Sequence, residues 1–292
     1  MKVLVTGATG SQAKPLVYQL VSKGYEVYAL TRNIAEGENF DNASVQLIEG
    51  DLLNKEDVLK AMTGMDTLAM HIPFFMQQPE VAGENLVEAA VQAGIQKIVW
   101  NTAGLILPVQ TGNPAYDVRG RVKALLEESG IDHVILQPTV YAENLLGPWT
   151  APFVKDENRA TYPLPLDFKV GWLPSEDMAK AMVAAIRKPE FNGRSLVISG
   201  RQTLDGQGLA KAFTEGLGRK IEYSPMLPED FGKILDQIMG EGSGEPVAKE
   251  YRAIWDGHVA PIMHADMENT LVELGVDFMD LKDWVKSFSF LF

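Results

Sequence analysis

A glycine-rich segment near the start of the chain has the composition of a phosphate-binding turn. The segment GATGSQA places Gly7 and Gly10 between an apolar stretch and an amphipathic one. Glycine at position 7 permits a tight turn, and glycine at position 10 lets the main chain approach a pyrophosphate at the positive end of a helix. Ala13 takes the third small position, where the helix packs close to the strand. The pattern predicts a dinucleotide-binding turn, because it stands at the first strand-to-helix junction.

Two charged residues further along could recognise the adenosine half of a dinucleotide. The second apolar stretch ends in Thr31-Arg32-Asn33 and lacks the acidic residue that accepts the ribose 2′-hydroxyl of NAD. Arg32 can instead pair with a 2′-phosphate, which favours NADP. Asp51 follows the third apolar stretch. Its carboxylate either accepts a bond from the adenine amino group or caps a turn, and spacing alone leaves both interpretations open.

Alternating strands and helices are needed to position these residues. Short β-branched runs predict strands over residues 2–6, 26–31, 45–48, 67–71, 97–101 and 133–137, and helical periodicity predicts helices over 12–22, 55–62, 79–93 and 114–129. This order is typical of an α/β fold, a Rossmann-type doubly wound parallel sheet that binds ligands beyond the carboxyl ends of its strands.

The regular alternation ends near residue 145. We expect residues 1–145 to form an NADP-binding Rossmann domain and residues 146–292 to form a smaller, mainly helical substrate-binding lobe. The two are interleaved, since a strand near 195–199 is expected to return to the sheet. The glycine-rich stretch 240–246 predicts a flexible connection.

Composition excludes several classes of function. The 292 residues include 26 Lys and Arg against 39 Asp and Glu, a net charge of -13, which argues against nucleic acid or anionic lipid as a partner. There are no cysteines, so disulfides, thiolate nucleophiles and cysteine-ligated metals are excluded. No apolar run approaches the roughly 18 residues of a membrane span, and no signal peptide or metal-ligand spacing is evident. We therefore expect a cytoplasmic protein without a membrane or nucleic-acid partner or a metal; the sequence leaves homo-oligomer formation open.

Four segments resemble the NmrA-like group of the atypical short-chain dehydrogenase/reductase superfamily: GATGSQA at the start, GDL at 50–52, NLVEAAVQAGIQKIVW at 85–100 and SGIDHVILQPTVYAENL at 129–145. The resemblance implies a Rossmann fold, a preference for NADP and a substrate cleft. It also implies contacts with the pyrophosphate, the 2′-phosphate, adenine and the rest of the cofactor, with the last residues bordering the nicotinamide. The pyrophosphate contacts fall on Gly7, Thr9, Gly10, Ser11 and Gln12, the 2′-phosphate contact on Arg32, and the adenine contacts on Asp51 and Leu52. The rest of the cofactor would be contacted by His71, Ile72, Pro73, Phe74, Asn101, Thr102, Ala103, Pro138, Thr139, Val140 and Tyr141.

The usual catalytic pair of that superfamily is not intact in this chain. A tyrosine and a lysine four residues apart normally supply and control the proton. Here the residue four after Tyr116 is Gly120, and the usual tyrosine and lysine positions fall on Ala115 and Arg119. Arginine can bind ribose or substrate there, but its pKa is too high for a base.

Several residues could take the place of the missing pair. Tyr116 could be displaced by one residue, and Lys123 lies one helical turn beyond the usual lysine position. Tyr141 and Thr102 follow strands in loops near the expected nicotinamide, where Thr102 could bond a substrate carbonyl. His71 also follows a strand and titrates in a useful range. The candidate catalytic residues are therefore Tyr116, Lys123, Tyr141 and Thr102.

The sequence is compatible with two main functions. The first is an NADPH-dependent oxidoreductase that reduces a small apolar substrate, namely a carbonyl, a quinone or a conjugated alkene. Aromatic residues that could line its pocket are Phe74, Phe75, Trp149, Trp172, Tyr223 and Trp255, together with Met76. The second is a non-catalytic NADP-binding redox sensor that acts through a protein partner, which a broken pair would suit. A redox-neutral isomerase or lyase is a third, weaker interpretation.

Overall fold

The chain forms two compact units. The computed structural model describes residues 1–37, 40, 44–73 and 76–292. The first unit contains Met1–Pro138, Ser175–Ile198 and Thr270–Val276, and the second contains Thr139–Pro174, Ser199–Asn269 and Asp277–Phe292. This division differs from the predicted boundary at residue 145. Residues 139–145 belong to the second unit, and residues 175–194 and 270–276 belong to the first, together with the strand near 195–199 that was expected to return to the sheet.

The strands and helices of the described residues follow in chain order. The strands are β1 (Lys2–Val5), β2 (Glu26–Thr31), β3 (Val45–Glu49), β4 (Thr67–His71), β5 (Lys97–Asn101), β6 (Asp132–Pro138), β7 (Val140–Tyr141), β8 (Arg159–Ala160), β9 (Trp172–Leu173), β10 (Ser195–Ile198) and β11 (Glu222–Tyr223). The helices are α1 (Lys14–Ser22), α2 (Ile34–Gly37), α3 (Lys55–Met62), α4 (Pro79–Ala93), α5 (Pro114–Ser129), α6 (Ala151–Glu157), α7 (Ser175–Arg187), α8 (Gly206–Leu217), α9 (Pro228–Met239), α10 (Gly244–Trp255), α11 (Glu268–Leu274) and α12 (Leu281–Ser287).

A seven-stranded parallel sheet forms the centre of the first unit. Its strand order is β10-β6-β5-β4-β1-β2-β3, and every pair is parallel. The order reverses between β1 and β4, which is the switch point of a doubly wound sheet. The predicted Rossmann-type fold is thus confirmed. The strand predicted near 195–199 corresponds to β10 and pairs with β6.

Helices pack on the sheet because each presents an apolar stripe. Helices α3, α4 and α5 form one layer with a core that includes Met62, Leu86 and Leu126, and α1 packs beside α7. The ends follow local rules: the Asn54 side chain accepts from the main chain of α3, and Gly94 ends α4 in a left-handed conformation. Burial of these side chains stabilises the packing of the helices on the sheet.

The second unit is mainly helical, with two short two-stranded sheets, β7-β9 and β8-β11. Its core contains an edge-to-face pair of Tyr162 and Trp172, whose ring centroids are 4.9 Å apart. The prediction of a flexible stretch over residues 240–246 is partly wrong, because α10 already begins at Gly244. A Cβ at Gly244 would lie 1.9 Å from the carbonyl oxygen of Gly232, so the glycine serves the close approach of α9 and α10. Among the helices of the described residues, none combines the length and apolar character that crossing a membrane requires.

Candidate functional site

The turn between β1 and α1 is built by the glycines that the sequence singled out. Gly7 has a φ of 63°, and Gly10 N donates to Gly7 O at 2.9 Å. Gly10 O then accepts from Ala13 N at 3.2 Å and Lys14 N at 2.9 Å, so the chain makes a further turn before α1 begins. The helix therefore starts at Lys14, two residues later than predicted.

Several main-chain donors of this turn have no acceptor among the residues that the structure describes. Among the described residues, nothing accepts a hydrogen bond from the N–H groups of Thr9, Ser11 or Gln12. Such donors at the positive end of a helix attract an anion. A Cβ on Gly10 would lie 3.2 Å from Gly7 O, so the turn also has little room for a side chain there. The geometry fits a pyrophosphate cradle.

A groove of about 890 Å³ runs from this turn along the ends of β2 and β3. That volume is sufficient for a cofactor, since ligand sites commonly measure roughly 300–1,000 Å³. Thr31 Oγ1 accepts from Asn33 N at 3.2 Å, and this small turn leaves the intervening Arg32 exposed. Among the described residues, Arg32 forms no ion pair. The residues along the groove include Gly7, Thr9, Gly10, Arg32, Asp51, Leu52 and Pro73.

Asp51 belongs to the groove and also shapes a turn. Its Oδ1 accepts from Leu53 N at 3.0 Å, and its own N–H donates to Asp57 Oδ2 at 3.1 Å. Asn85 Nδ2 donates to Leu52 O at 2.9 Å and holds this segment against α4. The turn role that the sequence left open is therefore present, and adenine recognition by Asp51 stays a prediction.

His71 and Asn101 form a buried pair at the ends of β4 and β5. Asn101 Oδ1 accepts from Ala103 N at 3.0 Å, which directs Nδ2 to His71 Nε2 at 2.9 Å. The ring then accepts through Nε2 and carries its hydrogen on Nδ1, for which the described residues offer no partner. Burial lowers the pKa of His71 from 6.5 to about 4. The imidazole is therefore neutral at pH 7, and its bond to Asn101 joins the ends of β4 and β5. A lowered pKa does not support a role in which His71 gains and loses a proton near neutral pH.

Thr102 and Arg119 are also buried at this edge. Thr102 Oγ1 donates to Gly104 O at 2.5 Å or to Leu136 O at 3.2 Å, so its one hydrogen is already engaged by main-chain carbonyls. Arg119 Nε donates to Thr102 O at 2.9 Å. Both residues, with Ile72, Pro73 and Ala103, line a small cavity beside the groove. The predicted bond from Thr102 to a substrate carbonyl would have to displace these existing bonds.

The other two candidates on α5 have different surroundings. Tyr116 stands beside Arg119, with 5.5 Å from the ring centroid to the guanidinium carbon. Lys123 Nζ lies 2.5 Å from Glu127 Oε1 in a partly exposed ion pair, and it lines neither the groove nor the small cavity. Proton transfer by Tyr116 or Lys123 stays a prediction.

The segment after β6 is divided between the two units. Pro138 ends β6 and is buried, opposite Ile198 of β10. Thr139 and Tyr141 belong to the second unit, where Thr139 Oγ1 donates to Gly171 O at 3.1 Å and Tyr141 is 7 % exposed in β7. Their expected place beside the nicotinamide stays a prediction.

Most of the proposed pocket aromatics have packing roles. Trp172 lies in the core, Tyr223 Oη donates to Leu164 O at 2.8 Å, Trp255 Nε1 donates to Pro163 O at 3.0 Å, and Trp149 Nε1 donates to Asn144 O at 2.7 Å. Phe74 and Phe75 lie outside the described residues, and Met76 lines the groove. The described part of the chain has no cluster of three His, Cys, Asp or Glu residues that could hold a metal.

Long-range burial explains what the sequence missed. Arg119 was expected to be available for ribose or substrate, yet it is 4 % exposed and its Nε donates to a carbonyl 17 residues earlier. Its burial has no local signature, since no acidic residue or capping pattern at that spacing indicates the contact. The nearest signal is the Thr102-Ala103-Gly104 turn, whose glycine leaves room for a guanidinium.

The parallel sheet and the glycine turn together define a Rossmann-type architecture. The profile of the NmrA-like family matches residues 1–283. The chain belongs to the NmrA-like family, as the resemblance in its sequence predicted.

Particular relatives differ in what their names describe. An NAD(P)H azoreductase from Xenophilus azovorans is 28 % identical over 249 residues, which are 84 % of this chain and 83 % of the relative. The structure of a triphenylmethane reductase from Citrobacter sp., complexed with NADP(H), has a TM-score of 0.79 at 19 % identity, with 98 % of this chain and 99 % of that chain covered. The negative transcriptional regulator NmrA in complex with NADP has a TM-score of 0.74 at 19 % identity, with 98 % and 94 % covered. The likeness to the two solved structures shows a shared fold.

Proposed function

We propose that the groove binds NADP, with the pyrophosphate on the Gly7–Gln12 turn and the 2′-phosphate against Arg32. The observation that carries the proposal is the combination of unpartnered N–H groups at Thr9, Ser11 and Gln12 with an exposed Arg32 that has no ion pair among the described residues. An anion would satisfy both, since main-chain donors and guanidinium groups bind phosphate through charge-assisted hydrogen bonds.

The strand order gives the orientation that we propose for the cofactor. Arg32 and Asp51 follow β2 and β3 on one side of the switch point, whereas His71 and Asn101 end β4 and β5 on the other. A dinucleotide with its adenosine beside Arg32 would therefore extend its nicotinamide half toward β4 and β5. Pro73 lines both the groove and the small cavity, which makes the two spaces neighbours at this end.

We propose further that the protein is an NADPH-dependent reductase of a small, apolar, conjugated acceptor. Bound NADPH would supply a hydride, and the acceptor would take the accompanying proton from solvent. Such an acceptor suits this site, because Arg119 replaces the usual lysine and the Thr102 hydroxyl is engaged by main-chain carbonyls. A similar protein is named an azoreductase and a protein of the same fold is named a triphenylmethane reductase, and azo and triphenylmethane compounds are both conjugated molecules.

A non-catalytic NADP-binding regulator is the second candidate. The same absence of an intact tyrosine–lysine pair favours it, and NmrA itself is a negative transcriptional regulator complexed with NADP. The two candidates share the groove and differ in turnover. Steady NADPH oxidation with an acceptor supports the reductase, and tight NADP binding without turnover on any acceptor supports the regulator.

Calorimetric titration with NADP and NAD, followed by an NADPH-oxidation assay, tests the proposal. The acceptor panel contains quinones, azo dyes, cationic triphenylmethane dyes and aldehydes. For Arg32→Ala we expect NADP affinity to fall about 10- to 100-fold, in line with roughly 1.5–3 kcal/mol for hydrogen bonds to a charged group, while NAD affinity changes less than twofold. Arg121→Ala is the matched control, because Arg121 lies on the surface of α5 in an ion pair with Glu84. Equal losses for both cofactors would refute the role of Arg32.

A further inference from the structure

Arg119 is bonded to the main chain of the loop that follows β5. Its Nε donates to Thr102 O at 2.9 Å, and its Nη1 lies 3.4 Å from Leu105 O. The guanidinium thus spans a four-residue turn and contacts both of its ends. A lysine could not make the same contacts, because an ammonium is a point donor and a guanidinium is a rigid planar fork.

The turn is shaped to receive this guanidinium. Ala103 adopts a left-handed conformation with a φ of 56°, which is unfavourable for a residue with a Cβ. Asn101 Oδ1 holds the Ala103 N–H at 3.0 Å. A Cβ on Gly104 would lie 2.9 Å from Arg119 Nη2, so the glycine provides the space that the guanidinium fills. The 102–105 turn and Arg119 therefore pack together, and each holds the other in place.

The 102–105 turn and Arg119 lie at the end of the groove where the nicotinamide half is expected. Thr102, Ala103 and Arg119 line the small cavity that shares Pro73 with the groove. None of the three lines the groove itself, whose other residues lie at the end of β2, follow β1, β2 or β3, or lie at 76–77. A change in the 102–105 turn should consequently affect one half of a bound dinucleotide and leave the adenosine half in place.

We propose that Arg119 is a positioning residue: it fixes the 102–105 turn as the surface that orients the nicotinamide half of NADP, and it transfers no proton. This rests on the proposed function. In the usual tyrosine–lysine arrangement, the lysine lowers the phenol pKa and binds ribose. In this chain the same helix position instead determines the shape of the loop, and the guanidinium keeps its hydrogens throughout.

The test compares two probes that differ only in the nicotinamide half. NADP contains it, and adenosine 2′,5′-bisphosphate lacks it. For Arg119→Met we expect NADP affinity to fall about tenfold while the affinity for adenosine 2′,5′-bisphosphate changes less than twofold. Gly104→Ala should reproduce this pattern with the charge intact, because its Cβ displaces the guanidinium. Arg121→Met, on the exposed side of the same helix, should leave both affinities unchanged.

Arg119→Lys separates positioning from charge. We expect Arg119→Lys to show most of the loss of NADP affinity seen for Arg119→Met, because lysine keeps the positive charge but lacks the planar set of guanidinium donors. Full rescue by lysine would assign the effect to charge and overturn the positioning role. Equal losses for the two probes, or no loss for either, would also overturn it. If Arg119→Met fails to fold in a thermal unfolding test, Gly104→Ala and Arg119→Lys give the answer.

Failure of the proposed function has a different signature. In that case the unchanged protein binds neither NADP nor adenosine 2′,5′-bisphosphate. Where NADPH oxidation is measurable, the positioning role also predicts that Arg119→Met lowers kcat more than it raises KM for the acceptor, with an unchanged pH profile of kcat between pH 6 and 8. A change in that pH profile would indicate that Arg119 controls a proton, contrary to the proposal.

Discussion

Replacing His71 by glutamine should remove a defined part of the pH dependence of stability. The ring is buried, Nε2 accepts from Asn101 Nδ2, and burial lowers its pKa from 6.5 to about 4. In the unfolded chain the ring binds a proton below its ordinary pKa of about 6.5, whereas in the folded protein it stays neutral down to about pH 4. The unfolded state therefore binds more protons between these values, and the free energy of unfolding falls as the pH is lowered through this range.

The magnitude follows from the size of the shift. A difference of this size corresponds to about 3 kcal/mol when the pH falls below both pKa values, and to about 2 kcal/mol by pH 5. His71→Gln keeps an acceptor for Asn101 and has no ionisable group. Between pH 7.5 and pH 5 we expect the free energy of unfolding of the unchanged protein to fall by about 2 kcal/mol more than that of the variant.

Urea unfolding at half-unit pH intervals measures this difference. Carboxylates that titrate in the same range are common to both proteins and cancel in the comparison. His133→Gln is the control, because His133 lies at the opposite end of the sheet, at the start of β6, and is only half-buried. If the His71→Gln and unchanged curves run parallel within about 0.5 kcal/mol, the reasoning from burial to a neutral ring is wrong.

Three further predictions concern the turn, the tyrosines and the helix packing. Gly10→Val should abolish binding of both NADP and NAD in a folded protein, because a branched side chain would occupy the pyrophosphate cradle; micromolar binding in a calorimetric titration would contradict this. Tyr116→Phe and Tyr141→Phe should each lower NADPH turnover less than tenfold, or about 1.4 kcal/mol, if the proton comes from solvent, and a larger drop in either kcat would identify that tyrosine as a donor. Gly244→Ala should destabilise the protein by about 1–3 kcal/mol in thermal unfolding, because its Cβ would meet the main chain of α9, whereas Gly120→Ala, in open space on α5, should stabilise it by about 1 kcal/mol; the reverse order would disprove the packing argument.

Local patterns determined much of the fold. The bounds of β2, β4 and α3 match the predicted ranges, because alternation, apolar periodicity and the Asn54 cap act over a few residues. The glycine turn was also predictable, since Gly7 needs a positive φ and the sequence places it directly after a strand. Short-range physics is sufficient wherever an element is defined by its own residues.

The remaining features depend on contacts between distant residues. Arg119 is buried because it reaches the 102–105 turn, and the His71–Asn101 pair exists because β4 and β5 are neighbours in the sheet. The start of α10 at Gly244 depends on its contact with Gly232. None of these partners is evident from spacing along the chain, so the sequence could name the candidate residues without saying which of them are engaged by the protein itself.

The discontinuity of the first unit has a consequence for synthesis on the ribosome. Strand β10 pairs with β6 only after a stretch of second-unit residues has been synthesised. The main-chain carbonyl of Glu273 accepts from Lys188 Nζ at 2.6 Å, and the Glu273 carboxylate pairs with Arg194 at 2.8 Å. While the nascent chain is shorter than about 200 residues, the edge of β6 has its main-chain N–H and C=O groups open to other strands. A truncated product that ends near residue 145 should therefore be recruited by chaperones or aggregate, and the groove-bearing unit can be completed only after residues 270–276 have been synthesised.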